Sequence, residues 1–501
     1  MTDVQRSSTL DALSRACGDV LVEAPGEPIA VSGLAYDSRA VGPGDLFFCI
    51  PGTLSDGHEY AAAAVSAGAV ALCVERPTGT GAPEIVVHNV RVAMARCAAE
   101  FYGRPGNDLM LLGVTGTNGK TTTAFLLDSI LRAAGKTTGL IGTIETRIGD
   151  RRVPGVRTTP ESLDLQRLLA EMRDAGASAV AMEVTSHALV MHRVESLVFD
   201  VAAFTNLSQD HLDFHATMED YFAAKRMLFT PEHASRGVVN LDDASGRRLY
   251  DGAVIPCDGF GGDERTAVRA AGVLSGPWGS EFVLEIAGVG ETKMATALVG
   301  HFNISNCLAA AAAAWRAGID LQAIQAGIEH LKAVPGRFEA VDAGQPFTVV
   351  VDYAHTPDSL DNVLRGARAL ADRGRVICTF GCGGDRDRGK RPLMGAVAAR
   401  LADYVVVTSD NPRSEDPRAI IDAILEGVLA ERPDGADDVL ADRAQAIARV
   451  IEEAKPGDVV VIAGKGHETG QQFRDHTIPF DDRNVARACL ARVGWTGEDA
   501  S

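Results

Sequence analysis

The chain has 501 residues, length for several hydrophobic cores and, as a prior, about three domains. Hydrophobic residues make up 46% and charged residues 23%, ordinary globular proportions. A formal net charge of −19 argues against a coat for nucleic acid or for an anionic membrane surface, so anionic ligands must be held by local loops and metal. Nine cysteines are scattered without zinc-type pairing and read as reduced thiols. No apolar leader pattern stands at the start and no run reaches the ~18 apolar residues of a membrane span, which predicts a soluble, cytoplasmic protein.

In chain order, residues 1–107 read as a small α/β unit. Apolar runs Leu46–Ile50, Val70–Val74 and Glu84–Val87 alternate with alanine-rich stretches such as Tyr60–Ala67. The clusters Tyr36-Asp-Ser-Arg39 and Pro51–Gly57 are, on their own, unremarkable turns. Tyr102–Asp108 is rich in turn formers and marks a boundary.

Residues 108–334 alternate strands and helices, predicting a mostly parallel sheet. An apolar run from Leu109 enters Gly116-Thr-Asn-Gly-Lys-Thr-Thr122, and Thr122–Ala134 has apolar Phe125, Leu126, Ile130 and Leu131 at helical spacing. Strand, glycine loop, lysine, hydroxyl and helix make a phosphate cradle: backbone N–H groups and a helix N-terminus face the anion, and Lys120 adds a charge. The common form of this loop would have glycine at Val114, so this is a variant. Ala179–Val184 carries Glu183 at its end, poorly placed for packing and well placed for Mg²⁺ beside phosphates. Phe199–Phe204 runs into Thr205–Asp213, whose His211 reads either as a hydrogen-bonded loop histidine or as a metal ligand. Lys225, in a predicted helix Tyr221–Leu228, reads as a solvated surface charge. The alanine-rich run Leu308–Ala317 reads as a core helix, and the second boundary falls near Val334-Pro-Gly336.

Residues 335–501 hold four apolar strands, each ending in a polar cluster: Asp352–Asp358, Gly381–Asp387, Ser409–Arg413 and Gly464–Glu468. Four such clusters at one end of a parallel sheet make a binding surface, and their mix of Asp, Glu and Arg suits a ligand bearing both ammonium and carboxylate groups.

Gly116–Thr122, Glu183 with Ser186-His187, Asn206–Asp213, Gly300-His-Phe-Asn303, Asp352-Tyr-Ala-His355 and Gly464-Lys-Gly-His-Glu468 resemble, in order and over nearly the whole chain, the motifs of the Mur ligases. The resemblance implies three α/β domains: an N-terminal domain for a UDP-sugar, a central P-loop ATPase and a Rossmann-like C-terminal domain for an amino acid. It implies a monomeric ligase that uses ATP and Mg²⁺, forms an acyl phosphate on UDP-muramyl dipeptide and, from the likeness of Asp410-Asn-Pro-Arg413 to a diaminopimelate motif, joins it to diaminopimelate.

Site residues follow from the same resemblance. Catalysis falls to Lys120, Glu183, His211 and Lys225, with Mg²⁺ near Thr121, Glu183, His211 and a Lys225 carbamylated by CO₂, which reverses the surface reading of that lysine. ATP falls to Gly116, Thr117, Asn118, Gly119, Lys120, Thr121, Thr122, Asn303, Arg337, Asp352 and His355. The UDP-muramyl substrate falls to Tyr36, Ser38, Thr53, Leu54, Ser55, Arg157, Thr158, Thr159, Thr185 and Arg193. Here Arg157 replaces the family's asparagine, Thr185 a serine and Met191 a glutamine. Arg157 either gains a charged contact or points to solvent. Diaminopimelate falls to Arg386, Asp410, Asn411, Pro412, Arg413, Gly464 and Glu468, with Arg386 and Arg413 forking onto the distal carboxylate and Asp410 or Glu468 taking the ammonium. The rivals are a lysine-adding ligase, a folylpolyglutamate synthetase and a nucleotide-hydrolysing switch.

Overall fold

The computed structural model describes residues 6–496 except 27, 53, 54, 156, 277, 278 and 372. Three sheets organise the chain. The first has five strands in the order Leu21–Glu23, Glu84–Val87, Ala71–Val74, Asp45–Phe48 and Gly33–Ala35, parallel but for the first pair. The second has eleven strands. At its centre, Thr138–Ile141, Ala179–Glu183, Met110–Thr115, Val201–Phe204, Gly237–Asn240 and Cys257–Phe260 run parallel. The third has six, Glu339–Ala340, Thr348–Asp352, Val459–Ala463, Val376–Phe380, Tyr404–Thr408 and Asp438–Leu440, again parallel but for the first pair. This is the expected three-sheet α/β architecture with a mostly parallel centre.

The parallel strands read as unbroken apolar runs because helices cover both faces. Ala71–Val74, Ala179–Glu183, Val201–Phe204 and Val459–Ala463 are buried at every position. The helix Lys120–Ala133 is buried from Thr121 to Leu131, pressed between the central sheet and the helices His301–Arg316 and Leu321–His330. Alanines 309–314, none more than 1% exposed, let His301–Arg316 approach closely. The Ser129 hydroxyl, on the phosphate-loop helix, donates to the Gly327 carbonyl at 2.6 Å.

Three expectations are corrected. The alanine-rich helix starts at His301, seven residues ahead of Leu308. Its two early asparagines do not break it, because Asn303 donates to the Val299 carbonyl at 2.8 Å and accepts from Asn306 at 2.9 Å. Lys225, in the helix Met218–Arg226, is 1% exposed, so the default reading of that lysine as a solvated surface charge fails. The central sheet is also longer than the strand–helix alternation suggests. A hairpin arm (Glu145–Ile148, Arg151–Pro154) extends one edge and an antiparallel meander (Thr266–Gly276, Gly279–Ile286, Gly290–Thr296) the other. Among the described residues no helix is long and apolar enough to cross a membrane.

Gly327 gives a test of this packing. A Cβ there would lie 2.3 Å from the Ile130 Cα and 2.6 Å from its nitrogen, backbone that cannot swing away. Gly327→Ala is expected to cost about 1–3 kcal/mol through overpacking. Differential scanning calorimetry should show a lowered midpoint for the transition that includes the central sheet, and an unchanged midpoint would refute the packing argument.

Candidate active site

The phosphate loop is set by two glycines. Gly116 has φ 144°, and a Cβ there would fall 1.9 Å from the Thr205 hydroxyl oxygen; Gly119 has φ 85°, with its missing Cβ 2.3 Å from the Asn306 Oδ1. The loop is pinned to the next strand end: the Asn118 N–H donates to Asn206 Oδ1 at 2.9 Å, and the Thr205 hydroxyl donates to the Asn118 carbonyl at 2.6 Å. No side chain caps the helix that begins at Lys120, so its first N–H groups and positive dipole end face the cleft.

Two lysines converge beneath this loop. Lys120 Nζ donates to the carbonyls of Gly116 and Thr117, both at 2.8 Å, and Lys225 Nζ donates to the same Gly116 carbonyl at 2.7 Å. Burial, then the charge of Lys120, pushes the Lys225 ammonium well below its ordinary range, and burial also lowers Lys120, against the pull of Glu183 and Asp210. Both amines thus share one carbonyl in a pocket whose burial disfavours their charged forms. The Lys225 nitrogen lies 4.4 Å from the Tyr221 ring centroid, Tyr221 packs in turn against His215 and His211, and these meet His187, which stacks on Phe214 at 4.0 Å between ring centroids. His211 occupies the left-handed region at φ 55°, an uncommon state for a residue with a side chain, and burial pushes its imidazole down to about 3.

Glu183, 1% exposed, accepts from the Thr121 hydroxyl at 3.0 Å, the Thr143 N–H at 2.8 Å and the Thr143 hydroxyl at 3.2 Å. Arg337 reaches across to the Thr121 oxygen at 3.1 Å. A carboxylate and a hydroxyl beside an uncapped helix N-terminus form a hard oxygen set that fits Mg²⁺ sharing phosphate oxygens. Among the described residues, no three or more His, Cys, Asp or Glu side chains gather as a metal cage on their own.

A cleft of about 600 Å³ opens here. Of the expected site residues it is lined by Thr117, Asn118, Gly119, Lys120, Thr121, Thr122, Arg157, Thr158, Thr159, Glu183, Thr185, Arg193, His211, Arg337, Asp352 and His355. Burial raises the Asp352 carboxyl to about 6 and lowers the His355 imidazole to about 4. Asn303 does not reach the cleft; Asn306, one turn on, lines it instead. Lys225 and Gly116 sit behind the lining.

At the other end, Glu161 gathers three guanidinium groups: Arg157 at 2.5 Å, Arg193 at 2.8 Å and Arg91 at 3.2 Å. Arg157 thus gains a charged contact while remaining half exposed. The Tyr36 hydroxyl donates to Asp164 at 2.5 Å, on the helix that follows Glu161, whereas Ser38 and Ser55 do not line the cleft. Thr53 and Leu54 lie outside the described residues.

The C-terminal residues form their own cluster. Asn411 Nδ2 donates to Glu468 Oε2 at 2.8 Å, and the missing Cβ of Gly464 would lie 2.5 Å from an Asp410 carboxylate oxygen. Arg413, at φ 50°, donates to the Gly384 carbonyl at 2.7 Å. Arg413 Nη1 and Arg386 Cγ lie 2.9 and 3.8 Å from the place of a Cβ on Gly383, so both arginines border one glycine turn. Pro412 supplies backbone to this turn, its carbonyl 2.0 Å from the missing Cβ of Gly384. Sequence reasoning passed over Asp358, Thr143, Asn306, Glu161, Lys465 and Arg443. Asp358 and Lys465 stood inside quoted motifs, whereas Glu161 and Arg443 had no local signal.

The sequence matches three family descriptions: "Mur ligase family, catalytic domain" over residues 30–102, "Mur ligase middle domain" over 114–314 and "Mur ligase, glutamate ligase domain" over 336–466. It is 48% identical over 494 residues to UDP-N-acetylmuramoyl-L-alanyl-D-glutamate–2,6-diaminopimelate ligase of Streptomyces avermitilis, covering 96% of each chain. To the enzyme of that name from Solibacter usitatus it is 51% identical, over 93% of this chain and 94% of the relative. A solved structure of a ligase of that name superposes with TM-score 0.68 at 32% identity, over 97% of this chain and 99% of the other.

Asp358, at the start of the helix Pro357–Ala371, accepts from Asn118 of the phosphate loop at 2.6 Å and from Ser208 at 3.0 Å. With Arg337 and Thr121, these bonds join the third sheet to the second across the cleft. Asp358→Ala is expected to loosen that junction and raise the radius of gyration of the ligand-free protein in solution scattering. A radius identical to that of the unaltered chain would count against a latch.

Proposed function

This chain belongs to the Mur ligase family, and on that premise we propose how its residues divide the work. It is an ATP-dependent acid–amino-acid ligase that adds diaminopimelate to UDP-N-acetylmuramoyl-L-alanyl-D-glutamate in peptidoglycan precursor synthesis. A carboxylate is a poor electrophile until one of its oxygens becomes a phosphate leaving group. In our reading the D-glutamyl carboxylate takes the γ-phosphoryl group of ATP at the Gly116–Thr122 loop, and the diaminopimelate amine then attacks the acyl phosphate. The tetrahedral intermediate expels phosphate and leaves the amide. Lys120 and the open helix end stabilise charge on the transferring group. Arg193, Thr158, Thr159 and Thr185 hold the muramyl dipeptide, with Arg157 as an added cation.

Thr121, Glu183 and His211 would hold Mg²⁺, which when bound neutralises charge building on the phosphate oxygens. Lys225, whose charged form burial disfavours, would take up CO₂ as the free amine: an N–C bond forms, one proton leaves, and the resulting carbamate would supply oxygen ligands for a second ion. This reading carries with it a cytoplasmic, monomeric enzyme.

The observation that carries the amino-acid assignment is Arg413 and Arg386 bordering one turn beside the Asp410, Asn411 and Glu468 cluster. The arginines take the distal carboxylate, and Asp410 or Glu468 takes the distal ammonium of the meso isomer. Lysine lacks that carboxylate and leaves the guanidinium groups unpaired, a defect that rejects an analogue by roughly 10⁴–10⁵ in a site built for the polar group.

Phosphate release from Mg²⁺-ATP and UDP-muramyl dipeptide should depend on diaminopimelate and be negligible with lysine; comparable turnover with lysine would overturn the assignment. Arg413→Ala is expected to raise KM for diaminopimelate by a factor on the order of 10–100, the loss of one charge-assisted hydrogen bond, with KM for ATP unchanged. For Lys225, the chain in ¹³C-bicarbonate should give a carbamate carbon resonance in NMR that disappears in Lys225→Arg. A spectrum without that resonance would falsify carbamylation.

A further inference from the structure

Arg443, 1% exposed, and Lys465, 0% exposed, are buried cations beside the C-terminal sheet that have no part in the chemistry described so far. Both bridge the same pair of loops. The strands Tyr404–Thr408 and Val459–Ala463 are not neighbours; Val376–Phe380 lies between them. The loops that follow them, Ser409–Arg413 and Gly464–Glu468, therefore have no ladder to fix their spacing.

Arg443 closes that gap at the backbone. It is the first residue of the helix Arg443–Glu453, and its guanidinium donates to the Ser409 carbonyl at 3.2 Å and to the Ala463 carbonyl at 2.9 Å. Those carbonyls immediately precede Asp410 and Gly464. Asp482, fully buried, neutralises it through Nε at 2.8 Å and Nη2 at 2.7 Å, which fixes the plane of the fork. Lys465 closes the gap again through side chains. Its Nζ donates to Asn411 Oδ1 at 3.0 Å and to Glu468 Oε2 at 2.8 Å, and Asn411 Nδ2 donates to the same Glu468 oxygen. The Gln472 N–H also donates to Asn411 Oδ1 at 2.9 Å, which sets the amide orientation. Among the described residues Glu468 Oε1 accepts no hydrogen bond, so one carboxylate oxygen is clamped and the other is left for a ligand.

We propose that Arg443 and Lys465 are positioning residues for the amino-acid pocket: they set the separation of the Asp410–Arg413 and Gly464–Glu468 loops and hold Glu468 in the rotamer that receives the diaminopimelate ammonium. The proposal rests on the diaminopimelate reading of this cluster. A buried cation must satisfy its remaining donors somewhere, and here the acceptors it meets are the two carbonyls, and the amide and carboxylate oxygens, of the two recognition loops, so satisfying the cation also fixes the spacing of those loops. Preformed spacing matters because a displacement of about 1 Å in a bound reactant costs roughly 10²-fold in rate.

The test uses the full chain with Lys465→Met, which keeps the buried stem and removes the donors, and Arg443→Lys, which keeps the charge and loses the fork. The expected result is a folded protein by calorimetry whose KM for diaminopimelate rises roughly 10-fold or more, with KM for ATP and UDP-muramyl dipeptide within about twofold of the unaltered chain. Discrimination against lysine should shrink in the same variants. A KM for diaminopimelate within twofold of the starting value in both variants overturns the proposal. So does a parallel rise in all three KM values, or failure of both variants to fold, since each marks a purely structural role. Arg413→Ala separates the two levels. If that change also leaves diaminopimelate KM untouched, the pocket reading itself fails; if it raises KM while Lys465→Met and Arg443→Lys do not, the positioning inference alone fails.

Discussion

Two lysine amines donate to the single carbonyl of Gly116, and much of the central site depends on how that crowding is resolved. Two ammonium groups in a dry pocket sharing one acceptor would repel strongly, and burial penalises each charge further. Burial and the charge of Lys120 push Lys225, the more deeply buried of the two, well below its ordinary range, and burial lowers Lys120 against the pull of Glu183 and Asp210. Gly116 presents that carbonyl at φ 144°, so close to Thr205 that no Cβ would fit, and His211 lies nearby in a left-handed conformation.

The cleft above them is not a basic trough. Its lining contains four cationic side chains, Lys120, Arg157, Arg193 and Arg337, and five carboxylates, Glu183, Asp210, Asp243, Asp352 and Asp358. With that balance, side-chain charge alone does not hold an anionic nucleotide, and the backbone N–H groups of the phosphate loop and its open helix end carry part of the attraction. This agrees with a chain of net charge −19, in which attraction for phosphate is local and does not come from the overall field.

Much of this was legible in the sequence where chemistry and local pattern coincide. Glycine spacing, Lys120 and an apolar run on each side were enough to place the phosphate loop and its helix, and acids or arginines at strand ends marked Glu183 and Arg413. Lys225 reads as a solvated charge because lysine by default is one, although it shares a buried helix face with Tyr221 and Phe222; what lets the amine stay buried is the Gly116 carbonyl, more than a hundred residues away. Asn306 lines the cleft where Asn303, one turn earlier on the same helix face, is tied up by its bonds to the Val299 carbonyl and to Asn306 itself. Glu161 and Arg443 act across gaps of 70 and 39 residues in their longest bonds, to Arg91 and Asp482, and no local pattern reports such a pairing.

The cleft and the amino-acid cluster are joined more tightly than their separate linings suggest. Arg337 lies over the Tyr353 ring at 4.6 Å, and Tyr353 packs on His467 at 5.1 Å between centroids. A Cβ on Gly466 would lie 2.8 Å from the Tyr353 Cβ, and one on Gly336 would lie 2.0 Å from the His467 nitrogen. The Gly464–Glu468 loop is thus wedged against the residues that carry Arg337, Asp352 and His355 into the cleft. The polar bonds from this assembly to the phosphate loop and its neighbouring strand end run from Arg337 to Thr121 and from Asn118 and Ser208 to Asp358. The Gly464–Glu468 loop and the residues that border the cleft from the C-terminal side are thus one packed assembly, so a shift at either is felt at the other.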